Sequence, residues 1–482
     1  METRRLRRLM AAAALATTVV TAGTAAAAPA EGGVGSLPAG AGSGTLAASS
    51  PFPWTAPMPD RLGSPLTLQA AGRPAPAGQD GVPQIPTVGE PTASALDHAK
   101  LQATLDAAHE AGMYGLNSAV QDGGTAWRGA SGVADTASGR PVRTDMRQRV
   151  GGITETFVAT AVLQQVDQGR VHLDDPIGGY LPDVVPGPRG REITVRMLLG
   201  HTSGIGDYLS AAFPSLSDPS AESLDAYRNR RLSPRRLVEW GLGAKPTGDP
   251  GQNWSHSGTD YVILGLLLEK ITGERAADYI TASVIRRAGL RDTYFPGDDV
   301  GIHGPHPKMY ESLFGALDQP RDYSDYNMSW SSTEGSLIST PGDLNHFYRD
   351  LLTGRLTSRN SLAEMRKTVP VKDANGQTVL DYGLGIYALN LPCGRFWGHD
   401  GSVWGAATQS LTGQDGGRQL TVAMNRTGFQ RLDGQGVPIT GPIDNALGAH
   451  VLQALCGPSD ASSATSAATT RFLPLTFVTP PF

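Results

Sequence analysis

The chain has 482 residues, of which 18% are charged and 39% hydrophobic, proportions that are ordinary for a globular enzyme. Its formal net charge is −5, so the composition excludes the strongly basic surface that binding to nucleic acid or to an anionic membrane requires. We therefore expect a folded protein with no nucleic-acid partner.

The first 28 residues have the pattern of an export signal. Four arginines within the first eight residues precede an apolar run from Leu9 to Val20, and small residues around positions 25–27 suit signal peptidase. The apolar run is too short to span a bilayer stably, and no second run follows. We expect a secreted protein without a membrane anchor, exported by either the general or the twin-arginine route.

Two further segments differ in composition from the rest of the chain. Residues 29–95 are rich in Ala, Gly, Pro and Ser, which predicts a flexible linker. Residues 458–482 are rich in Ser, Ala and Thr, which predicts a disordered tail. The folded domain is expected between them, over residues 96–457.

Apolar spacing predicts the elements of that domain in chain order. The first is a helix with one apolar face, formed by Leu96, Leu101, Leu105 and Ala108. Two strands follow at 115–120 and 125–130, joined by the turn at 122–124. The remaining expected elements are a helix at 158–166, a helix- and loop-rich region at about 174–339, strands at 382–389, 395–399, 406–411 and 420–425, and a helix at 444–455.

Four motifs lie on this framework: RVGGITETF at 149–157, LLGHTSGI at 198–205, WSHSGTDY at 254–261 and WGHDGS at 397–402. In this order they resemble the serine β-lactamase and penicillin-binding-protein family, and most closely the secreted Streptomyces D-alanyl-D-alanine carboxypeptidases. The resemblance covers about 96–457. It implies an α+β, β-lactamase/DD-peptidase-like fold, with an antiparallel sheet flanked by helices and an all-helical lobe across the active cleft.

The same resemblance marks where this chain departs from the family. The S-x-x-K motif places the nucleophile at Gly152 and the lysine at Glu155, and Tyr-x-Asn falls on His256 and Gly258. His399 matches the His-x-Gly strand. Because glycine has no atom to acylate and a carboxylate cannot act as the lysine does, the resemblance implies that the usual acyl-enzyme is not formed.

Glu155, His256 and His399 inherit positions that converge around the missing nucleophile, which makes them the candidate catalytic residues. One carboxylate and two imidazoles form an acid/base set that is tunable near neutral pH. They also have the composition of a two-histidine, one-carboxylate metal site, but side-chain directions are not given by a sequence, so no metal or cofactor is assigned. Simpler interpretations stay open: Glu155 facing the helix N-terminal amides, and His256 as a satisfied polar group. His201 lies in a signature whose family role is structural.

The groups that recognise a peptide carboxylate also differ. In carboxypeptidases of this kind an arginine and a threonine bind the terminal carboxylate, and these positions fall on Tyr387 and Asp400. An aspartate would repel a carboxylate, although Ser402 retains a hydrogen-bond donor. The expected substrate-binding residues are Gly152, Gly258, Tyr387, Asp400, Gly401 and Ser402, with open space at the first two.

Three functions are compatible with these residues. Loss of the acyl-transfer groups favours a pseudoenzyme whose cleft binds a small molecule or peptide. The second is an enzyme that uses the three candidate residues for isomerisation, elimination or cyclisation. The third is residual hydrolysis by a shifted nucleophile, for which the candidates are Thr154, Ser255 and Ser257. A shift of one or two residues at a helix start turns a hydroxyl by roughly 100° or more, which argues against the third.

Cys393 and Cys456 are the only cysteines of the chain. Export to oxidising surroundings favours a disulfide between them, and the resemblance to the Streptomyces carboxypeptidases supports the same pairing. Two free thiols are the alternative. The disulfide would hold the C-terminal helix against the strand that carries His399.

Overall fold

The structure is a computed structural model that describes residues 96–214, 221–373, 376–434 and 438–457. The expected export signal, linker and C-terminal tail lie outside these residues. Among the described helices, none is long and apolar enough to cross a membrane.

The α-helices of the described residues are α1 His98–Glu110, α2 Ile153–Asp167, α3 Ile177–Tyr180, α4 Gly187–Glu192, α5 Val195–Leu199, α6 Leu209–Ala212, α7 Ala221–Tyr227, α8 Pro234–Gly243, α9 Gly258–Thr272, α10 Ala276–Ile280, α11 Ser332–Gly335, α12 Pro341–Leu352, α13 Arg359–Met365 and α14 Pro442–Cys456. A π-helical turn, Thr281–Arg286, continues α10, and 3₁₀ turns lie at Leu313–Gly315 and Met328–Trp330. The region at about 174–339 thus consists mainly of helices and loops.

The strands are β1 Gly115–Asp122, β2 Thr125–Asp135, β3 Arg140–Pro141, β4 Gln148–Arg149, β5 Tyr310–Glu311, β6 Arg321–Asp322, β7 Ile338–Ser339, β8 Val369–Lys372, β9 Thr378–Tyr382, β10 Tyr387–Leu391, β11 Gly394–Val403, β12 Ala406–Gly413, β13 Arg418–Met424, β14 Arg426–Thr427, β15 Arg431–Leu432 and β16 Pro438–Ile439. Nine of them form one antiparallel sheet in the order β3-β2-β1-β13-β12-β11-β10-β9-β8. This is the α+β, β-lactamase/DD-peptidase-like fold that the resemblance predicts.

The expected strand at 382–389 is wrong as a single element. Tyr382 ends β9 and Tyr387 begins β10, and the two residues are paired across an antiparallel hairpin. Gly385, at φ +69°, lies in the intervening turn, where a left-handed backbone favours glycine. The sequence resembles one strand here because residues 382–388, which include the turn, are all buried.

One hydrophobic core lies between the sheet and the pair α1 and α14. In this core His450 of α14 is buried, and its ring nitrogens lie 2.9 Å from Thr104 Oγ1 of α1 and 2.9 Å from Ser118 Oγ of β1. Burial lowers the pKa of His450 to about 4, so the neutral imidazole links the two helices to the sheet at neutral pH.

A second core surrounds α2, which is buried from Ile153 to Gln165. Its β-branched residues have modest helix propensity, so packing on all sides stabilises this helix more than its sequence preference does. Phe157 stacks on Phe347 of α12 with ring centroids 3.7 Å apart. Gly169, at φ +68°, follows the helix end. The first turn of α2 therefore points its side chains into the interior.

The disulfide is confirmed: Cys393 and Cys456 are bonded, with a Cα–Cα distance of 5.4 Å. It joins the turn before β11 to the last residue of α14. The strand that carries His399 is therefore covalently tied to the C-terminal helix.

Candidate functional site

Glu155 lies in the first turn of α2, fully buried, and forms the centre of the candidate site. Its Oε2 atom accepts hydrogen bonds from Tyr382 Oη at 3.1 Å and contacts His201 Nε2 at 3.1 Å. Tyr382 belongs to the sheet and His201 to the loop after α5. The carboxylate therefore binds these side chains and does not cap its own helix.

The other two candidate residues converge on the same carboxylate, as expected from the sequence. His256 precedes α9 and places Nε2 3.4 Å from Glu155 Oε1. His399 lies on β11 and places Nε2 3.5 Å from Glu155 Oε2. Three elements that are distant in the sequence thus meet at the start of α2, although their chemical roles stay predictions.

His201, which was interpreted as structural, is part of this site. It is fully buried between two carboxylates, with Nε2 facing Glu155 and Nδ1 3.2 Å from Asp260 Oδ2. Asp260 Oδ1 in turn accepts a hydrogen bond from Ser203 Oγ at 2.6 Å. The backbone of His201 has φ +53°, a conformation that non-glycine residues rarely adopt and that tends to occur at functional sites.

Tyr382 connects Glu155 to His399. Its hydroxyl lies 3.1 Å from Glu155 Oε2 and 3.0 Å from His399 Nε2. The other ring nitrogen of His399, Nδ1, donates to the Asp400 carbonyl at 2.6 Å, because a carbonyl oxygen can only accept. This second bond fixes the orientation of the imidazole.

The electrostatics favour a charged carboxylate beside a protonated imidazole. Burial alone would raise the pKa of Glu155, but the charge of His201 and the close contacts with the surrounding histidines hold it well below its usual range. Burial alone would lower the pKa of His201, but Glu155 and Asp260 raise it to about 10. Burial raises the pKa of Asp260 to about 6, against the opposing effect of His201. Glu155 and His201 are thus a buried ion pair.

His256 is the member of the site that reaches solvent, with 9% of its side chain exposed. Burial would lower its pKa, but its contact with Glu155 raises it above the ordinary value. Its Nδ1 atom faces Asp207 Oδ2 at 3.8 Å, and Asp207 is 31% exposed. Asp207 Oδ2 also accepts from the Gly258 amide at 2.8 Å, which holds it at the start of α9.

The expectation of open space at the two glycines is wrong. A Cβ atom on Gly152 would lie 3.2 Å from the Asp400 carbonyl oxygen and 3.4 Å from His399 Cε1. A Cβ atom on Gly258 would lie 3.0 Å from Glu334 Cγ. Neighbouring side chains and backbone therefore fill the space that larger residues would take.

The expected carboxylate-binding residues are mostly buried. Tyr387 and Asp400 are 2% and 3% exposed, and Tyr387 Oη accepts from Gln409 at 3.2 Å. Gly401 is required by close packing, since a Cβ there would lie 2.1 Å from the Val150 carbonyl oxygen. Ser402 is partly exposed, and it is the one of these four that solvent reaches appreciably.

Two candidate shifted nucleophiles are occupied by structural hydrogen bonds. Thr154 Oγ1 accepts from the Leu337 amide at 3.1 Å, and Ser257 Oγ donates to the Gly206 carbonyl at 3.1 Å. Both residues are fully buried. Their hydroxyls are therefore poorly placed to attack a substrate.

A metal ion is compatible with one group of side chains in the described residues. Glu155, His201 and His256 each offer one ligand atom, and these atoms lie within 4.8 Å of one another. This set differs from the sequence-based one because His201 takes the place of His399.

Comparison with known proteins defines the class. The family model described as Beta-lactamase matches residues 99–436. The chain therefore belongs to the β-lactamase family, which also includes penicillin-binding proteins.

Relatives within this class have different names and activities. The chain is 34% identical over 215 residues to Esterase EstB of Burkholderia gladioli, covering 43% of this chain and 54% of the esterase, about half of that protein's length. It is 25% identical over 317 residues to Penicillin-binding protein 4* of Bacillus subtilis, covering 64% of this chain and 67% of that protein.

Solved structures show the same fold. A D-stereospecific amidohydrolase from Streptomyces sp. is similar with a TM-score of 0.65 and 33% identity, over 75% of this chain and all of that chain. A D-amino acid amidase from Ochrobactrum anthropi, at 23% identity and a TM-score of 0.60 over 74% and 97% of the two chains, supports the fold alone.

Proposed function

We propose that this chain is a non-acylating member of the β-lactamase family whose Glu155-centred site binds a small molecule or peptide. The observation that carries the proposal is the start of α2, where Gly152 offers no nucleophile and Glu155 is an ionised carboxylate paired with His201. A buried anion at this position stabilises cations and hydrogen-bond donors. It does not supply the base that activates a serine.

The first test is covalent labelling. The intact protein is incubated with penicillin-type and fluorophosphonate probes, and its mass is measured; no adduct is expected because position 152 has no side-chain nucleophile. Gly152→Ser is the matched variant, and it should also fail to hydrolyse these probes, since Glu155 and His256 remain. A stoichiometric adduct mapped to Ser255, Ser257 or Thr154 in the unaltered protein would overturn the proposal.

The second test is ligand binding. The relatives include an esterase and a D-stereospecific amidohydrolase, so D-amino acid amides, short peptides with D-residues and small esters are the first compounds to screen by thermal shift. A ligand that occupies the site should raise the melting temperature of the unaltered protein. It should do so less in His256→Asn, because His256 is the partly exposed side chain of the site.

A second candidate function is acid/base catalysis without an acyl intermediate. The observation that favours it is the Asp207–His256–Glu155 arrangement, in which an imidazole that is 9% exposed lies between two carboxylates. A histidine so placed can move a proton between a ligand and the interior. If a bound compound is also converted, Glu155→Gln and His256→Asn should each lower turnover by about 10²–10⁴-fold. Turnover that survives both changes would refute acid/base catalysis by Glu155 and His256.

Export is part of the same proposal. The Cys393–Cys456 disulfide supports an oxidising compartment, since such bonds are rare in reducing ones. The test is the detection of the protein in culture medium, with the N-terminus of the mature chain read by mass spectrometry near residue 28.

A further inference from the structure

Glu155, His201 and His256 place three potential metal ligands around one point inside the protein. Glu155 Oε2 lies 3.1 Å from His201 Nε2, and Glu155 Oε1 lies 3.4 Å from His256 Nε2. Two ligands of one tetrahedral zinc ion, each about 2.1 Å from it, are about 3.4 Å apart. Each histidine therefore lies at such a separation from one oxygen of Glu155, and one ligand atom from each of the three side chains lies within 4.8 Å of the others.

Glu155 Oε1 is the least satisfied atom of this group. It is buried, and no donor of the described residues makes a hydrogen bond to it. A buried carboxylate oxygen without a partner has a desolvation cost that a bound cation would offset. Of the ion pairs that Glu155 makes, the one at Oε1 is with His256, which lies on the solvent side of the site.

The outer contacts of both histidines also fit metal ligation. His201 presents Nε2 to the centre and Nδ1 to Asp260, while His256 presents Nε2 to the centre and Nδ1 to Asp207. Ligating histidines commonly donate their second nitrogen to a carboxylate, which fixes the ring and makes the ligand more basic. His201 and Asp260 form such a pair at 3.2 Å, whereas His256 Nδ1 faces Asp207 at 3.8 Å, which is beyond hydrogen-bond distance.

His399 is not part of the set. Its Nε2 is hydrogen-bonded with the Tyr382 hydroxyl at 3.0 Å, and its Nδ1 with the Asp400 carbonyl at 2.6 Å. Both nitrogens therefore have partners outside the proposed centre. Tyr382 lies beside the centre and donates a hydrogen bond to the carboxylate from the sheet side, and His399 in turn contacts the Tyr382 hydroxyl.

We propose that Glu155, His201 and His256 bind a divalent first-row transition metal of the zinc type. Imidazole and carboxylate ligands suit such ions, and three protein ligands leave a coordination position free for water or a bound molecule. The inference rests on the proposed function, because both require a site that does not carry out acyl transfer. It extends the proposed function, because the metal ion would itself be the group to which a small molecule or peptide binds.

The metal-free alternative is an ion pair in which a proton on His201 balances Glu155. In that case the three side chains form a closed structural network that has no affinity for zinc beyond that of exposed histidines. The two explanations differ in stoichiometry and in which substitutions matter, so metal binding itself separates them.

The experiment is a titration of the chelator-treated full chain with Zn²⁺ at pH 7.5, followed by calorimetry and by metal analysis after gel filtration. One equivalent is expected. Glu155→Gln and His256→Asn should each abolish stoichiometric binding, while Asp260→Asn should weaken it by about 10–100-fold, as loss of a supporting carboxylate does. Co²⁺ in place of Zn²⁺ should give the visible absorption of a low-coordinate site.

The matched control is His303→Gln, which removes another histidine–carboxylate pair. His303 Nε2 lies 2.8 Å from Asp299 Oδ2, and both side chains are exposed. This variant should keep one equivalent of zinc. His256 is at the edge of the site, so His256→Asn decides the result if Glu155→Gln does not fold, as judged by circular dichroism.

Absence of stoichiometric zinc binding by the unaltered chain overturns the metal site, as does binding that persists in His256→Asn. Neither result bears on covalent labelling, which tests the proposed function. A probe adduct would refute the non-acylating proposal whatever the metal content.

Discussion

Replacing Glu155 with glutamine should measure how much the buried ion pair contributes to the free energy of unfolding. The change keeps the size of the side chain, and the amide oxygen can still accept from Tyr382. It removes the charge that balances His201, which then faces Asp260 alone. Breaking a buried pair costs about 3–5 kcal/mol. We expect about 3 kcal/mol, near the lower end, because one acceptor oxygen remains.

The assay is urea unfolding of chelator-treated protein at pH 7.5, followed by circular dichroism, with a thermal melt as a second reading. A loss of about 3 kcal/mol corresponds to a melting temperature lower by roughly 5 °C in a domain of this size. The matched experiment is a double-mutant cycle with His201→Asn. The coupling between the two changes should be about 1–3 kcal/mol, because each single change leaves a charge without its partner.

Two results would refute this reasoning. A cost below about 1 kcal/mol for Glu155→Gln would mean that the carboxyl group is not a charged partner in the folded protein. Additivity of the two changes within about 0.5 kcal/mol would mean that the residues are not energetically coupled, despite their 3.1 Å contact.

Three further predictions concern the framework. His450 is protonated below about pH 6.5 in the unfolded chain but only near pH 4 in the folded protein. Its contribution to the free energy of unfolding is therefore complete above pH 6.5 and falls by about 3 kcal/mol on acidification to pH 4. Urea unfolding measured against pH should show this loss, and His450→Gln should remove it. Replacing both Cys393 and Cys456 with alanine should cost on the order of 4 kcal/mol, because the bond spans 63 residues; an unchanged unfolding midpoint would contradict this. Gly401→Ala should destabilise the protein strongly, since its Cβ would lie 2.1 Å from backbone, whereas Gly179→Ala, with nothing within 4 Å, should melt within a degree or two of the unaltered chain.

The fold and much of the site follow from ordered motifs in the sequence. The helix after Gly152, the strand with His399 and the disulfide are where the resemblance places them, because each depends on local residues in a known order. The convergence of Glu155 and His256 follows once the fold is given, since Glu155 lies in the first turn of α2, His256 precedes α9, and the two helices are in contact.

The role of His201 could not be read in the same way. Its side chain meets Asp260 and Glu155 from a left-handed backbone, and no apolar period or propensity specifies that conformation. The signal in the sequence was the pair of changes itself. Glu155 stands at the lysine position, so a buried carboxylate there needs a compensating charge, and His201 lies in another motif of the same site. The filling of the space at Gly152 was equally inaccessible, since it depends on how near β11 comes to α2.

The Tyr382 hydroxyl has one proton and lies within hydrogen-bond distance of two groups, Glu155 Oε2 and His399 Nε2. Because the hydroxyl can donate to only one of them at a time, it has two alternative orientations, one toward Glu155 on α2 and one toward His399 on the sheet. If a cation bound to Glu155, it would satisfy the carboxylate, and the Tyr382 hydroxyl could then donate to His399 instead. Binding at the start of α2 would thereby change the hydrogen bonding of His399 on β11. The other ring nitrogen of His399 is bonded to the Asp400 carbonyl, next to Gly401. The imidazole resonances of His399 should therefore shift when a cation binds at Glu155, although His399 is not one of the three proposed ligands.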